Sequence, residues 1–134
     1  MRKFVLFTSF LFLCLFGCAQ NDSTNVCGCN HRYKLYKTQN NYVSLKLDTR
    51  TGRVWMVQWS IKDESRFESV LSETKWSEIL EREERNGRYE LYPTTNIFNF
   101  VMLDTFSGDT FQVQWSFEDV NCGVWVIKIN REEE

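Results

Sequence analysis

Polar and apolar side chains alternate in two stretches of the chain, and this alternation predicts β-strands. The stretches cover 53–61 and 109–117. Strict alternation over such a length is typical of a strand that buries one face. In each stretch the larger side chains, tryptophan included, belong to one set, which we expect to face the core. The two sets are Trp55, Val57, Trp59 and Ile61 in the first stretch, and Phe111, Val113, Trp115 and Phe117 in the second.

Both stretches belong to an internal repeat. Residues 32–61 and 88–117 align without gaps at an offset of 56, and 14 of the 30 aligned positions are identical. Each copy predicts a strand, a second strand, a turn, the alternating strand and a weaker fourth strand. In the first copy the four strands are expected at 33–36, 42–47, 53–61 and 66–71. In the turn, Asp48 can accept backbone hydrogen bonds and Gly52 can adopt a positive φ.

A charged segment joins the two copies and predicts a short amphipathic helix. Trp76, Ile79 and Leu80 recur there at helical spacing. The second copy offers a place for this helix to pack, because it carries apolar residues where the first copy has polar or less apolar ones. These are Phe98, Phe100 and Met102, opposite Tyr42, Ser44 and Lys46.

Together these elements predict one all-β domain over 32–130. Repeat 1 covers 32–72, the linking helix 73–87 and repeat 2 88–130. About eight antiparallel strands would form two homologous four-stranded repeats. A four-stranded sheet cannot bury both of its faces, so the halves should pack together, either as a pseudo-twofold sandwich or as a closed barrel.

The N-terminus predicts a signal peptide over 1–17. Arg2 and Lys3 precede an apolar run that ends in Leu15-Phe16-Gly17-Cys18. This ending resembles the bacterial lipobox, which implies cleavage before Cys18 and attachment of lipid to that residue. An ordinary signal peptide, cleaved near Ala19, is the alternative. Residues 18–31 would then serve as lipid anchor and flexible tether.

The residue after Cys18 bears on localisation. In Gram-negative lipoproteins an Asp at this position resembles a signal for retention in the inner membrane, whereas this chain has Ala19. The resemblance therefore implies an outer-membrane lipoprotein of the cell envelope, held in the bilayer by acylated Cys18. The leaflet is left open.

Composition excludes several classes of protein. The chain is 43% hydrophobic and 25% charged, which is too apolar for a disordered protein. Its formal net charge is -2, and it falls to -4 once Arg2 and Lys3 leave with the signal peptide. Such a domain has no basic surface for nucleic acid, so we expect no nucleic-acid partner.

Three cysteines remain after the leader and the anchor are set aside: Cys27, Cys29 and Cys122. In an oxidising envelope they predict one disulfide, from Cys122 to Cys27 or Cys29. Cys27, Cys29 and His31 also have the spacing of zinc ligands, and Cys122 would be a fourth. We favour the disulfide over the metal site, and unpaired thiols are the remaining alternative; we therefore expect no metal site.

Candidate chemistry is sparse. Asp48 and Asp104 are matched carboxylates, but both fall in the repeated turn, where Asp has a structural role. No nucleophile elbow, phosphate loop or dinucleotide motif occurs. We therefore expect no catalytic residues, no cofactor and no enzymatic activity.

Six polar or aromatic residues are identical in both copies although they alternate with the tryptophan set or lie outside it. They are candidates for a paired binding surface, but we favour a structural role, either as a polar ladder inside the sandwich or barrel or as a surface that has not yet diverged between the copies. The six residues are Tyr36, Gln58, Ser60, Tyr92, Gln114 and Ser116.

The duplicated pattern RYxLYxTxN…LDTxTGxxWxVQWS resembles short, uncharacterised bacterial envelope lipoproteins. That resemblance carries no activity. The hairpin around Asp48, Gly52 and Trp55 also resembles that of quinoprotein-type β-propellers, although two copies cannot close such a ring. We expect a non-catalytic, lipid-anchored binding module whose ligand is a protein or a glycan. An inhibitor or immunity-type lipoprotein is the alternative, and a hydrolase is disfavoured.

Overall fold

A computed structural model describes residues 31–128. Two four-stranded antiparallel sheets contain all eight strands, and each sheet is a simple up-and-down meander. Sheet 1 is formed by β1 (Tyr33–Lys37), β2 (Val43–Asp48), β3 (Val54–Gln58) and β4 (Phe67–Ser72). Sheet 2 is formed by β5 (Tyr89–Pro93), β6 (Asn99–Asp104), β7 (Thr110–Gln114) and β8 (Gly123–Val126). This all-β, two-repeat sandwich confirms the predicted fold class, and within 31–128 the sheets do not close into a barrel.

The turn between the second and third strands of each sheet is built alike. The Gly52 N–H donates to the Asp48 carbonyl at 2.9 Å, and the Gly108 N–H donates to the Asp104 carbonyl at 2.8 Å. Both glycines have φ near +80°, at 80° and 81°. Only glycine adopts this conformation without steric cost, which explains why it recurs in the repeat and confirms the prediction made for Gly52.

The linking helix α1 is one turn long, from Trp76 to Ile79, and is shorter than the predicted range. Glu81 has a φ of 51°, a left-handed conformation that ends the helix. Trp76 and Leu80 pack against the core, while Ile79 is exposed. The predicted place for this helix is also different, because Phe100 and Met102 belong to the core shared by the two sheets.

The two sheets bury faces that are not equivalent in the repeat. In sheet 1 the buried side chains of β2 and β3 are Val43, Leu45, Leu47, Val54 and Met56. In sheet 2 the buried side chains of β6 and β7 are Phe100, Met102, Phe111 and Val113. When the repeats are aligned at the offset of 56, an apolar position that is buried in sheet 1 has an equivalent in sheet 2 that points to the outer side, and the reverse also holds. We call the side that carries Leu45 in sheet 1 and its equivalent Val101 in sheet 2 the front of the sheet, and the other side its back. The sheets are therefore stacked head to tail, with the front of sheet 1 against the back of sheet 2.

Head-to-tail stacking makes the predicted core face wrong in repeat 1 and right for three of its four residues in repeat 2. Trp59 is 53% exposed and Ile61 is exposed, and Trp55 and Val57 lie on the outer side of sheet 1. Phe111, Val113 and Trp115 are buried, whereas Phe117 is exposed. The physical reason lies in β2, where Val43, Leu45 and Leu47 pair across the sheet with Gln58, Met56 and Val54 and so bring that side of β3 into the core.

Backbone hydrogen bonds tie the repeats together at the turn of sheet 1. The Tyr89 N–H donates to the Thr49 carbonyl at 2.8 Å, and the Gly87 N–H donates to the Thr49 hydroxyl at 2.9 Å. An ion pair joins Lys34 of β1 to Glu90 of β5 at 3.8 Å. The first strand of sheet 2 is thereby fixed beside sheet 1.

Candidate functional site

The six repeated positions that the sequence singles out lie in different settings. Tyr36 is half-buried between the sheets, and this burial raises its pKa to about 12. Its equivalent Tyr92 is exposed on the outer side of sheet 2 and donates its hydroxyl to Glu90 at 2.9 Å. This hydrogen bond raises the pKa of Tyr92. One tyrosine thus serves the sheet interface and the other an outer surface.

The repeated glutamines and serines have mostly local partners. The Gln58 amide donates to the Ser65 carbonyl at 2.9 Å and fastens the loop after β3. The Ser60 hydroxyl accepts the backbone N–H of Lys62, and the Ser116 hydroxyl accepts that of Glu118. Gln114 lies on the outer side of sheet 2, beside Gln112. The structure does not bring these six residues together on one surface, and the turn geometry explains why the serines recur.

Asp48 and Asp104 are each buried beside an arginine of their own repeat. Arg32 lies 3.2 Å from Asp48, and Arg88 lies 2.8 Å from Asp104. Burial alone would raise the pKa of Asp104, but hydrogen bonds from the backbone N–H groups of Phe106 and Ser107 and from Arg88 outweigh it and lower the pKa. The repeated Arg-Tyr and Leu-Asp-Thr segments are therefore explained by two equivalent structural ion pairs.

Cys122 is half-buried at the turn before β8. Its sulfur accepts the Ser116 N–H at 3.2 Å, and burial raises the pKa of its thiol. Cys18, Cys27 and Cys29 lie outside the described residues, so the lipid attachment and the predicted disulfide stay predictions. Across 31–128, no three side chains of His, Cys, Asp or Glu lie together as metal ligands do.

The outer side of sheet 1 is rich in large apolar side chains. We call it the aromatic face and define it by Tyr33, Leu35, Trp55, Val57 and Trp59. Leu35 is 68% exposed, whereas its equivalent in sheet 2, Leu91, is 3% exposed. The equivalents of all five residues are buried in the sandwich; they are Tyr89, Leu91, Phe111, Val113 and Trp115. The aromatic face is therefore the exposed counterpart of a core face.

The first aromatic pair of this face has the same geometry as its buried counterpart. Tyr33 and Trp55 meet edge to face, with ring centroids 6.4 Å apart and ring planes at 64°. Tyr89 and Phe111 meet edge to face at 6.1 Å and 69°. Sheet 1 therefore holds on its surface an arrangement that sheet 2 uses inside the core.

A second pair repeats this correspondence. Tyr42 and Trp59 lie with centroids 5.3 Å apart and planes at 52°, and Phe98 and Trp115 lie at 5.2 Å and 53°. Trp115 is 1% exposed and donates its indole N–H to the Ile97 carbonyl at 3.0 Å. The two indoles differ in burial because Trp115 belongs to the core that the two sheets share, whereas Trp59 is 53% exposed.

Cations surround the aromatic face. The Lys46 ammonium lies 4.6 Å from the Trp55 ring centre, and the Arg53 guanidinium lies 5.0 Å from it. Lys46 also forms an ion pair with Glu68 of β4. Cation–π attraction of this kind favours the observed placement of the Trp55 indole between these side chains and the sheet.

An open cavity of about 740 Å³ adjoins the face at Trp59. Four aromatic residues line it, namely Tyr42, Trp59, Phe67 and Phe117. Asn40, Gln58, Ser60, Lys62 and Ser65 contribute polar groups. Sequence analysis singled out Gln58 and Ser60 of this lining but missed Tyr42, Phe67 and Phe117. Only the sheet packing brings Phe117 of repeat 2 beside Trp59 of repeat 1.

Within the described part of the chain, no helix combines the length and the apolar character needed to cross a bilayer. Comparison with protein-family models, with curated proteins and with solved structures gave no match.

Proposed function

We propose that this protein is a lipid-anchored, non-catalytic interaction module of the bacterial cell envelope, and that it binds a partner through the aromatic face. One observation carries this proposal: the face displays to solvent the same five-residue pattern that sheet 2 buries in the core. Contiguous apolar patches on a small protein mark interaction sites more often than chance exposure. A partner that covers the face would bury side chains already arranged for packing.

The chemistry of the face favours a macromolecular partner. Rigid aromatic side chains and arginine are the residues that contribute most to protein interfaces. Trp55 stands between Lys46 and Arg53, which hold its ring without help from a ligand. Little side-chain entropy is then lost on binding. An inhibitor or immunity-type role would use the same face, and the identity of the captured partner distinguishes it.

The absence of catalysis in this proposal rests on the carboxylates. The two matched aspartates are paired with structural arginines, and on the aromatic face Lys46 is engaged in an ion pair with Glu68. Each of these carboxylates is engaged by a cation of the same chain, whereas the aromatic and apolar residues of the face are free to contact a partner.

The envelope location is supported by the N-terminal sequence. A basic start, an apolar run and Leu15-Phe16-Gly17-Cys18 precede a polar tether, and Ala19 follows the cysteine. We expect cells fed an alkyne fatty acid to label the wild-type chain but not the Cys18→Ser variant. Labelling that persists in Cys18→Ser would contradict the anchor.

The binding face is tested in living cells by photo-crosslinking. A photoreactive amino acid replaces Leu35 on the face or, as the control, Val120, which is 90% exposed but lies outside the face. We expect a discrete covalent adduct from position 35 and none from position 120. Equal or absent adducts at both positions would overturn the proposed binding face.

A glycan is the second candidate ligand, and the cavity beside Trp59 favours it. Aromatic rings stack on the apolar faces of sugars, and Gln58 and Lys62 offer hydrogen bonds. If this candidate is right, envelope oligosaccharides should change the fluorescence of the wild-type protein but not that of Trp59→Ala.

A further inference from the structure

We propose that the partner of the aromatic face is a second copy of this chain, stacked head to tail. This inference rests on the proposed binding face and names its occupant. Inside one molecule the back of sheet 2 is covered by the front of sheet 1. The aromatic face is the back of sheet 1 and carries the same five aromatic and aliphatic positions as the buried back of sheet 2, although Ser44 and Lys46 replace Phe100 and Met102 at its centre.

The required complementary surface is also exposed. We call the outer side of sheet 2 the distal face and define it by Tyr92, Val101, Leu103, Gln112 and Trp125. At the repeat offset Tyr92, Val101 and Leu103 correspond to Tyr36, Leu45 and Leu47, which cover sheet 2 within the molecule. Asn99, Thr110 and Gln112 stand where sheet 1 buries Val43, Val54 and Met56, so the front of sheet 2 is more polar than the front of sheet 1. Each chain thus has one uncovered back, the aromatic face of sheet 1, and one uncovered front, the distal face of sheet 2.

The distal face is shaped to receive a flat sheet at its edge. The Trp125 indole lies across Gly123, where a Cβ atom would come within 2.5 Å of the ring. The absence of a side chain at Gly123 lets this half-exposed indole lie flat on the strand.

Charge is complementary at the predicted contact. Within the molecule Lys34 of sheet 1 pairs with Glu90 of sheet 2. These two residues occupy equivalent positions, so the next contact in a stack places Glu90 of one copy beside Lys34 of the following copy. The signs of charge alternate along the stack, and no like charges meet at this position.

The backbone hydrogen bond of the internal contact also has an equivalent at the predicted contact between copies. Tyr89 donates its N–H to the Thr49 carbonyl across the internal contact. The equivalent groups at the next contact are the N–H of Tyr33 and the carbonyl of Thr105. A heterologous contact of this kind forms rings or open chains, because each copy keeps one free face after the first contact.

The contact area limits the expected affinity. Strands of five residues in a four-stranded sheet give a face of about 17 by 19 Å. At about 320 Å² per copy this is well below the roughly 800 Å² per partner of a standard interface, so we expect an association weaker than about micromolar.

Sedimentation velocity of the full-length protein, purified from cells in density-matched detergent with micelles in excess, tests the proposal through mixing. Leu35→Lys disables the aromatic face and leaves the distal face intact, whereas Tyr92→Lys does the reverse. Both sites are exposed, so near-UV circular dichroism should show native folding. We expect wild type and the control Val120→Lys to associate beyond dimers, each disabled variant to stay monomeric, and the two together to form a dimer and nothing larger.

Self-association is overturned if wild type stays monomeric at every concentration, or if the mixed variants do not pair. If position 35 crosslinks to a different protein and wild type is monomeric, the proposed binding face is supported but a second copy of the chain is refuted as its partner. No adduct and no association would refute both.

Discussion

At the residue scale, equivalent side chains in the two repeats have different energetic roles because the sheets pack by opposite faces. Trp59 and Trp115 come from the same sequence motif and contact their neighbouring ring at nearly the same angle. One is surface and the other is core. The chain therefore contains its own matched controls, in which chemistry is constant and burial changes.

We expect Trp115→Ala to lower the free energy of unfolding by about 3–5 kcal/mol, because it empties a buried site and orphans the Ile97 carbonyl. Trp59→Ala should cost roughly 1 kcal/mol, since half of its surface is already solvated. Urea denaturation of both variants measures the difference. Equal losses would mean that the two indoles share one environment.

The two arginine–aspartate pairs give a second matched test. Asp104→Asn leaves the almost fully buried Arg88 without its charge partner and should cost about 3 kcal/mol. Asp48→Asn should cost about 1 kcal/mol, because the Arg32 side chain is half-exposed and can be solvated. Thermal unfolding at neutral pH compares them, and a larger loss in Asp48→Asn would contradict this assignment.

The lowered pKa of Asp104 also sets a pH dependence. A depressed folded-state pKa contributes stability above the ordinary value of 3.8, and this contribution is lost as pH falls through the folded-state value. The wild-type melting temperature should therefore drop more steeply than that of Asp104→Asn between about pH 5 and about pH 2. Parallel curves would show that Asp104 has no such role.

At the scale of elements, the repeated turns are alike in backbone but not in surroundings. A Cβ on Gly52 would lie 3.2 Å from the Trp76 side chain, whereas a Cβ on Gly108 would meet no atom within 4 Å. Trp76 packs in turn on Phe111, with ring centroids 4.8 Å apart. The turn of sheet 1 therefore supports the linking helix as well as its own hairpin.

We expect Gly108→Ala to cost about 1–2 kcal/mol from its positive φ alone. Gly52→Ala carries the same backbone cost and must also displace Trp76, so it should be more destabilising. Differential scanning calorimetry of the two variants separates the shared cost from the added one. The expectation fails if the two melting temperatures agree.

The positions of the strands could be predicted from the sequence much better than the side of each sheet that is buried. Alternation and turn residues located all eight strands, because these signals are local. The choice of core face in β3 does not follow from local signals. Val54 and Met56 on one side of the strand are as apolar as Val57 on the other side, and only Trp55 is larger than they are. The register of the hairpin was the missed signal, because it places Met56 opposite Leu45.

The aromatic face could not be predicted for a related reason. Its five residues form a convincing core pattern, and their equivalents in sheet 2 are a core. Only the order in which the two sheets stack shows which copy of the pattern is left exposed. The cavity beside Trp59 depends on the same packing, because Phe117 comes from the other repeat.

At the scale of the whole molecule, the duplication leaves two unlike outer faces instead of two equivalent ones. A sandwich that buries equivalent faces is self-contained, whereas a head-to-tail stack ends in surfaces that fit one another. The proposed lipid anchor would hold such molecules at one membrane and raise their effective concentration. Weak contacts between sheet faces then become sufficient for assembly.

The central claim is that opposite faces of the two sheets are buried, which leaves Trp59 in solvent and Trp115 in the core. Hydroxyl-radical footprinting of the full-length protein, at a concentration too low for association, measures the oxidation of each indole by mass spectrometry. We predict rapid oxidation of Trp59 and strong protection of Trp115. Equal protection of both indoles would contradict the head-to-tail packing and the binding face derived from it.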